Sequence, residues 1–422
     1  MNLKMDHIME KKTISSRLID KCLITGGDVL DILDFGMHPY ADTFISEQQL
    51  NLSEPVFPLQ CTINPQSGQI QLKYVSNDDD RYNLYEYSYT SANSQFSRNH
   101  WDNYFETVKN RYQLQDKSVL EIGSNDGYLI SKFKNVSKQS LGIDSSKEMC
   151  KIANENGTDT INAIFNLNLA EELKLSGSWD IVIANNVFNH SNDPVNFAAG
   201  ISHLLSESGV FIFELPYWGK TLESGKFDQV YHEHVSYFTL KSSLNLLTKV
   251  GLQISDFEIV DYHGGSIRVY AQKVNSPIEV SSLVKNFIKE EESRGLFDIE
   301  TYKNFQKDII NKRNNFLNQL YKIKTNNPNS VIIGVGAAAK ANTFLNYYKI
   351  DKTILDYITD SSRYKQGKYT PLTRIPIVSD NIFSQYSDDT EVYALILSWN
   401  ISDQLKSNLL SINPNVKFIN LI

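Results

Sequence analysis

The stretch KSVLEIGSNDGYLIS, Lys117–Ser131, decides the fold. Val119, Leu120 and Ile122 form an apolar run into Gly123, a polar turn follows, and Gly127 opens a predicted helix. A buried parallel strand feeding a glycine turn and a helix N-terminus presents backbone N–H groups to a polar ligand. The spacing Glu121-x-Gly123-x-x-x-Gly127 lacks the third glycine of a dinucleotide loop. Taken alone, it also fits an ordinary strand-to-helix turn of an α/β enzyme.

Downstream, Ser140–Asp144 (SLGID) reads as a second strand. Asp144 falls about 20 residues past Glu121, where a carboxylate can accept two hydrogen bonds from a ribose diol. A helix cap before Ser145–Asn154 is the other use for it, and the glycine turn at this distance favours ribose. Asp180–Asn185 (DIVIAN) reads as a fourth strand ending in Asn185-Asn186, and a helix starts near Asn192-Asp193-Pro194. Gly209–Leu215 (GVFIFEL) is another buried strand. This alternation argues a doubly wound parallel sheet with ligands at the carboxyl ends of the strands. Glu121, Gly123, Asn125, Asp126, Gly127, Asp144, Asn185 and Asn186 are then the candidate cofactor residues.

At 422 residues the chain has room for two or three domains. A net charge of −8 argues against a general affinity for nucleic acid, which needs a basic stripe. The three cysteines, Cys22, Cys61 and Cys150, form neither a CxxC pair nor a disulfide framework, so a reducing cytoplasm is expected. No run has the length of a membrane span and the N-terminus has no apolar leader, so no membrane partner is expected.

Ser15–Leu72 reads as short strands and turns. Cys22–Gly27 and Gln60–Leu72 keep the spacing of a four-cysteine zinc ribbon, but Thr25, Asn64 and Ser67 stand where ligands belong. Zinc needs thiolate or imidazole at its corners, so no metal is expected. Asn77–Glu106 is dense in tyrosine and hydroxyls. It reads as a strand with Tyr85, Tyr87 and Tyr89 on one face, then an amphipathic helix from Ser94 to Val108, and it can also lay hydroxyls into a polar pocket.

Past Leu215 comes Tyr231-His232-Glu233-His234. In an extended chain the two histidines point one way and Tyr231 and Glu233 the other. A surface loop or a histidine metal pair, with His190 or His263 as third ligand, fits the run. Acid–base chemistry accounts more economically for Tyr and Glu beside imidazole: His takes a proton, Glu orients it and Tyr donates to an oxyanion. Tyr262–Tyr270 (YHGGSIRVY) reads as a glycine turn leading into an edge strand, and Glu279–Lys324 as long amphipathic helices. Ser330 opens a second strand–turn–helix with Gly334, Gly336 and Lys340, followed by a strand at Ile354–Ile358 and another at Val392–Leu397. It is a structural appendage, or a phosphate or nucleotide contact through Lys340, Lys365 and free N–H groups of Gly334–Ala338.

Together, EIGSNDG, GIDSS, ANNVFNH, FDQVYHEHVSYF, HGGSIRVY, GVGAAAK and DSSRYKQGKYTP…IPI…LSWN resemble the nucleotide-sugar C-methyltransferases that make branched deoxysugars of the mycarose and tetronitrose type. The glycine turn has the form seen in S-adenosylmethionine (SAM) methyltransferases. The resemblance implies an α/β chain in three parts: a small β-rich, zinc-ribbon-derived domain at 13–80, a SAM-binding Rossmann-like domain at 81–277 and a Rossmann-like C-terminal domain at 278–422. It implies SAM as cofactor and a 4-keto nucleotide-diphosphate sugar as substrate. His234 is then the base, supported by Tyr231 and Glu233, with His190 and Tyr85 or Tyr87 lining the same pocket. His263, Gly265, Lys340 and Lys365 are the expected substrate contacts. Two departures stand out: the zinc cysteines are reduced to Cys22, and the usual PGTHIPI is PLTRIPI here, Pro371–Ile377. An O- or N-methyltransferase, or a non-catalytic homologue, is the alternative. The oligomeric state, monomer or dimer, is left open.

Overall fold

Five apolar-rich residues make β1 (Ser118–Ile122), every one of them buried. A strand covered on both faces belongs in the middle of a sheet, and burying each large aliphatic side chain there contributes about 1.5–3 kcal/mol. The computed structural model describes residues 15–77, 81, 94–175, 177–276, 281–387 and 389–419. In it β1 lies between β2 (Gln139–Asp144) and β4 (Trp179–Ile183), with Leu120 opposite Leu141 and Val182. β3 (Thr160–Asn162), β5 (Leu205–Pro216), β6 (Leu252–Val260) and β7 (Ser266–Lys273) complete seven strands in the order β6-β7-β5-β4-β1-β2-β3. β7 runs antiparallel to both its neighbours. The expected parallel sheet therefore ends in an antiparallel pair. β7, read from sequence as an edge strand, is the inner member of that pair: Ser266–Gln272 are all buried and β6 forms the edge.

The local signals act as chemistry dictates. The Ser94 side chain accepts from Ser97 N–H and caps the helix Gln95–Arg111. Asp193 caps Pro194–Leu204, with Pro at the first helical position. The helix opened by Gly127 is a single turn, Tyr128–Ser131. The long helix Ile299–Asn326 leads to a second sheet of β8 (Val331–Val335), β9 (Tyr357–Thr359), β10 (Ile377–Val378), β11 (Val392–Ile396) and β12 (Lys417–Ile419). Its order is β10-β9-β8-β11-β12, parallel throughout, a smaller Rossmann-like unit. Among the described residues no helix is long and apolar enough to cross a membrane.

The N-terminal strands Leu30–His38, Phe57–Asn64 and Gln69–Leu72 form an antiparallel sheet whose fourth strand, Ser236–Tyr237, comes from the middle of the chain. In this module Cys22, Thr25, Asn64 and Ser67 converge, joined by hydrogen bonds. Asn64 Oδ1 accepts from Ser67 N and Ser67 Oγ, both at 2.8 Å, and Asn64 Nδ2 donates to Asp28 O at 2.7 Å. Cys22 Sγ lies 3.5 Å from Ser67 Oγ and from Thr25 N. Among the described residues no group of three or more His, Cys, Asp or Glu could hold a metal. The altered loop Pro371–Ile377 keeps left-handed backbone at Leu372 (φ 62°) and Arg374 (φ 55°), which costs about 1 kcal/mol or more per residue. It is pinned to the N-terminal module: Leu372 N donates to Glu54 at 2.9 Å and Arg374 pairs with the same carboxylate at 3.1 Å.

Asn64→Ala leaves Ser67 N–H and hydroxyl without their acceptor, so the chemical-denaturation midpoint should fall by the equivalent of about 1–3 kcal/mol. Elemental analysis of the unsubstituted protein should find no stoichiometric zinc.

Candidate active site

The glycine turn after β1 spends its N–H groups internally. Gly123 N and Ser124 N donate to Ile143 O, Gly127 N to Ser124 O, and Asn125 N to Asp144 Oδ2. The expectation that this turn offers its amides to a ligand is corrected on that ground, and a one-turn helix adds little dipole. Instead the turn builds a wall. Gly123 sits at φ 74°, and a Cβ there would lie 2.1 Å from Val187 Cγ2, so only glycine lets the turn close against Asn186-Val187. Asp126 Oδ1 accepts from Tyr128 N, and Gly127 packs against Ala153 and Thr158. Both shape the turn from behind.

The cleft in front is lined by Glu121, Asn125, Asp144, Asn185, Asn186 and His190, together with Trp101. Asp144 holds Asn125 N and Ser146 N, each at 2.8 Å. Each carboxylate oxygen keeps a further lone pair, so a diol can still bond there. The helix that follows is capped by Ser146 instead, whose hydroxyl accepts from Met149 N. Burial pushes the Glu121 and Asp144 carboxyls up. Glu121 Oε2 is buried with no partner, and so is the Asn185 amide, short of bonding the neighbouring Tyr104 hydroxyl. Buried polar atoms left open in a cleft are what a polar ligand satisfies.

Next to this cleft the Tyr231–His234 run makes a tight turn, not an extended strand. His234 N donates to Tyr231 O at 2.9 Å. The turn brings Tyr231 and His234 together, with Tyr231 OH 2.8 Å from His234 Nε2. His234 Nδ1 donates to Gln229 O at 3.0 Å, so Nε2 is the basic nitrogen and accepts from the phenol. His232 and Glu233 turn the other way. His232 reaches Pro58 O and packs between Tyr40 and Phe57. Glu233 Oε1 accepts Ala41 N and Asp42 N, each at 3.1 Å. The expected support of His234 by the Glu233 carboxylate is therefore corrected: Gln229 orients the ring and Glu233 anchors the turn. Burial lowers His234 to about 4, and His232 to about 4, while it raises Glu233 to about 7.

His190 meets His234 edge to face, centroids 5.0 Å apart, and burial holds it well below the usual imidazole range. His263, at φ 53°, is lowered to about 3 by burial and by the positive field of Lys340. Gln229 joins the two turns, since its Nε2 donates to His263 O at 3.1 Å. Lys340 Nζ lies 4.1 Å from the Trp399 ring and Lys226 Nζ 4.7 Å from it, while Trp399 Nε1 donates to Asp228 at 2.7 Å. Burial pulls Lys340 down to about 8. The other two expected contacts are not brought here. Gly265 gives its backbone groups to Tyr217 and Tyr262, and Lys365 donates to Ala337 O at 2.8 Å. Gly336 N and Ala337 N, expected to be free, bond Thr359 O and Asp360 Oδ2. Tyr85 and Tyr87 lie outside the described residues. Gln229 and Trp399 were not singled out from sequence. Gln229 stood two places before Tyr231, but nothing local marks an amide that bridges two distant turns.

Residues 99–256 match the model of a methyltransferase domain, and residues 261–422 that of a C-methyltransferase C-terminal domain. The C-methyltransferase NovU of Streptomyces niveus is 29% identical over 395 residues, 93% of this chain and 92% of its own length. The chain thus carries a methyltransferase domain followed by a C-methyltransferase C-terminal domain, and it is similar to a C-methyltransferase over nearly its whole length. The malonyl-[acyl-carrier protein] O-methyltransferase of Bacillus anthracis is 27% identical over 137 residues, 32% of this chain and 50% of its own. Magnesium protoporphyrin IX methyltransferase of Synechocystis PCC 6803, solved with S-adenosylhomocysteine, overlays at a TM-score of 0.35 with 15% identity, covering 42% of this chain and 83% of its own.

Gly123→Ala combines left-handed strain with the Val187 collision, so SAM binding measured calorimetrically should weaken at least about tenfold, the equivalent of about 1.4 kcal/mol. The lowered imidazoles also set an acid limit. Unfolded, they take up protons near pH 6.5, whereas folded they stay neutral to about pH 4. Their contribution to stability is complete above pH 6.5 and is lost as pH falls through about 4. The urea midpoint should track that window.

Proposed function

We propose that this chain is a SAM-dependent C-methyltransferase acting on a 4-keto nucleotide-diphosphate sugar, with His234 removing a proton from the carbon beside the ketone. The observation that carries the reading is the Tyr231–His234 pair. Its Nε2 is unprotonated, its Nδ1–H is fixed on Gln229 O, and His190 faces it across 5.0 Å. The resemblance supplies the substrate class; the pair supplies the chemistry such a substrate needs. Carbon becomes a nucleophile only after a proton leaves, and an α-keto position is where that is feasible.

Glu121, Asp144, Asn185 and Asn186 are the residues that would hold SAM. The unpartnered amide of Asn185 and the open lone pairs of Asp144 suit its adenosine and ribose. When bound, SAM supplies an electrophilic methyl group. The chain contributes the rest. His234 takes the proton at Nε2, and Tyr231 releases its own hydrogen bond to the ring and donates to the developing oxygen charge. One such donor is worth about 3 kcal/mol. Lys340 and Lys226, two ammonium groups over one indole, take the diphosphate. That pairing also relieves the desolvation that lowers Lys340.

A base already neutral above about pH 4 predicts that the acid limb of kcat/KM lies near 4 and not near 6.5. His234→Asn should lower turnover at least about 100-fold and leave SAM affinity unchanged. Wild-type protein with a panel of 4-keto nucleotide sugars in D2O, without SAM, should wash deuterium in beside the ketone, and the variant should not. With SAM, mass spectrometry should find one added CH2 in the wild-type product. Wash-in that persists undiminished in the variant removes His234 as the base, and transfer to oxygen or nitrogen without any wash-in removes C-methylation of a ketone.

A further inference from the structure

Glu214 is fully buried at the carboxyl end of β5 and carries more partners than charge balance requires. Arg268 on β7 donates to its Oε2 twice, from Nε at 3.0 Å and Nη2 at 2.8 Å. That bidentate ion pair already neutralises the carboxylate. Its other oxygen, Oε1, is nevertheless given to an imidazole: His100 Nε2 stands 2.7 Å away. The ring is clamped on two more sides. It lies parallel to Tyr262, centroids 3.8 Å apart at 2°, and edge-on to Trp101 at 4.8 Å. Trp101 lines the cofactor cleft, and Tyr262 stacks at 4.0 Å on His263. His100 thus adjoins the cleft through Trp101, and through Tyr262 it adjoins His263, which feels both His100 and His234.

This clamp decides which nitrogen does what. With Nε2–H committed to Glu214, Nδ1 is the working atom, and among the described residues it has no hydrogen-bond partner and is not sealed from solvent. A carboxylate behind an imidazole holds its orientation and supports a proton taken up at the far nitrogen. The other cleft imidazoles differ in kind. Among the described residues no carboxylate pairs with His234, and burial lowers His234, His190 and His263 alike. A reaction that removes a proton from carbon while charge builds on oxygen needs one group of each type.

We propose that His100, positioned by Glu214, is the proton donor to the carbonyl oxygen of the substrate. This rests on the keto-substrate reading above and deepens it. As His234 Nε2 bonds the proton from carbon, the C–H electron pair forms the C=C bond. The carbonyl π pair moves to oxygen, which takes the proton from His100 Nδ1 and gives an enol. On attack at the methyl group the enol O–H pair reforms C=O, and its proton returns to Nδ1. The net products are the methylated ketone, the demethylated sulfide and one proton on His234. The charged and titratable groups around His100 are Glu214, with Arg268 behind it, and Tyr262 and His263.

The test uses full-length His100→Asn, which leaves the Glu214–Arg268 pair, and His100→Gln, which can still donate toward Glu214 Oε1 but carries no acid. Each should lower kcat with a 4-keto nucleotide sugar by about 100-fold while SAM affinity by calorimetry stays unchanged. Each should also slow deuterium wash-in beside the ketone in the absence of SAM, since enolisation then lacks its proton donor. A variant with wild-type wash-in and rate overturns the proposal. So does a loss of SAM affinity matching the loss of rate, which makes His100 a cofactor ligand. Should Asn disturb folding by circular dichroism, Gln decides by the same readouts. Wild-type protein that methylates no 4-keto sugar fails the parent reading and takes this one with it; wild-type activity with unimpaired variants fails this one alone.

Discussion

The Glu233 carboxylate, receiving Ala41 N–H and Asp42 N–H at 3.1 Å, is the constraint from which the active site follows. Those two donors lie in the N-terminal module, and the chain leaves the turn directly into Ser236–Tyr237, the fourth strand of that module's sheet. With Glu233 and His232 pulled to one side, a four-residue turn has no choice but to put Tyr231 and His234 on the other. A burial that would otherwise be costly for a carboxylate is offset by two charge-assisted bonds, and its remaining oxygen, Oε2, stays buried and unpartnered. The module therefore fixes the conformation of the Tyr231–His234 turn. Within it, Asn64 and Ser67 form a hydrogen-bonded knot beside Cys22.

The two Rossmann-like units share one device and use it differently. In the first, Asp144 at the end of β2 bridges Asn125 N and Ser146 N, and Gly123 N bonds Ile143 O. In the second, Asp360 after β9 bridges Ala337 N and Ser362 N, and Gly336 N bonds Thr359 O. The first turn keeps a polar cleft in front of it. At the second, Lys365 donates to Ala337 O and lies 4.0 Å from Asp360, so the chain's own ammonium stands beside the turn. What the second unit brings to the His263–Gly264 turn comes from elsewhere: Lys340, whose charge acts on His263, and Trp399, whose indole packs against Gly264, where a Cβ would come within 2.6 Å.

Much of this was legible in the sequence because it is local. Apolar runs ending in Gly123 and in Asp144 specify strands and their carboxyl ends, and Asp193-Pro194 specifies a helix start. The misreadings concern pairing. Glu233 was given to His234 by side-chain type and by resemblance, and strand alternation paired it with Tyr231; the turn instead pairs Tyr231 with His234 and sends Glu233 to Ala41 and Asp42. β7 was placed at an edge because its outer partner β6 was not read as a strand, although Gly251 precedes it and its apolar residues alternate. Gly265 and Lys365 were read as ligand contacts by type, whereas backbone pairing with Tyr217 and Tyr262, and the carbonyl of Ala337, claim them.

The sequence by itself determined the parallel sheet, the glycine turn with its carboxylate, and which imidazoles and phenols were available for chemistry. These depend on spacing along one segment. Only the tertiary structure decided that Gln229 orients His234, that Glu233 faces away from it, and that Glu214 backs His100. Each of those is a bond whose meaning comes from a partner brought in by folding, such as Ala41 to Glu233 across 192 residues and His100 to Glu214 across 114. No periodicity encodes such pairs; burial and the demand that every buried polar group find a partner select them.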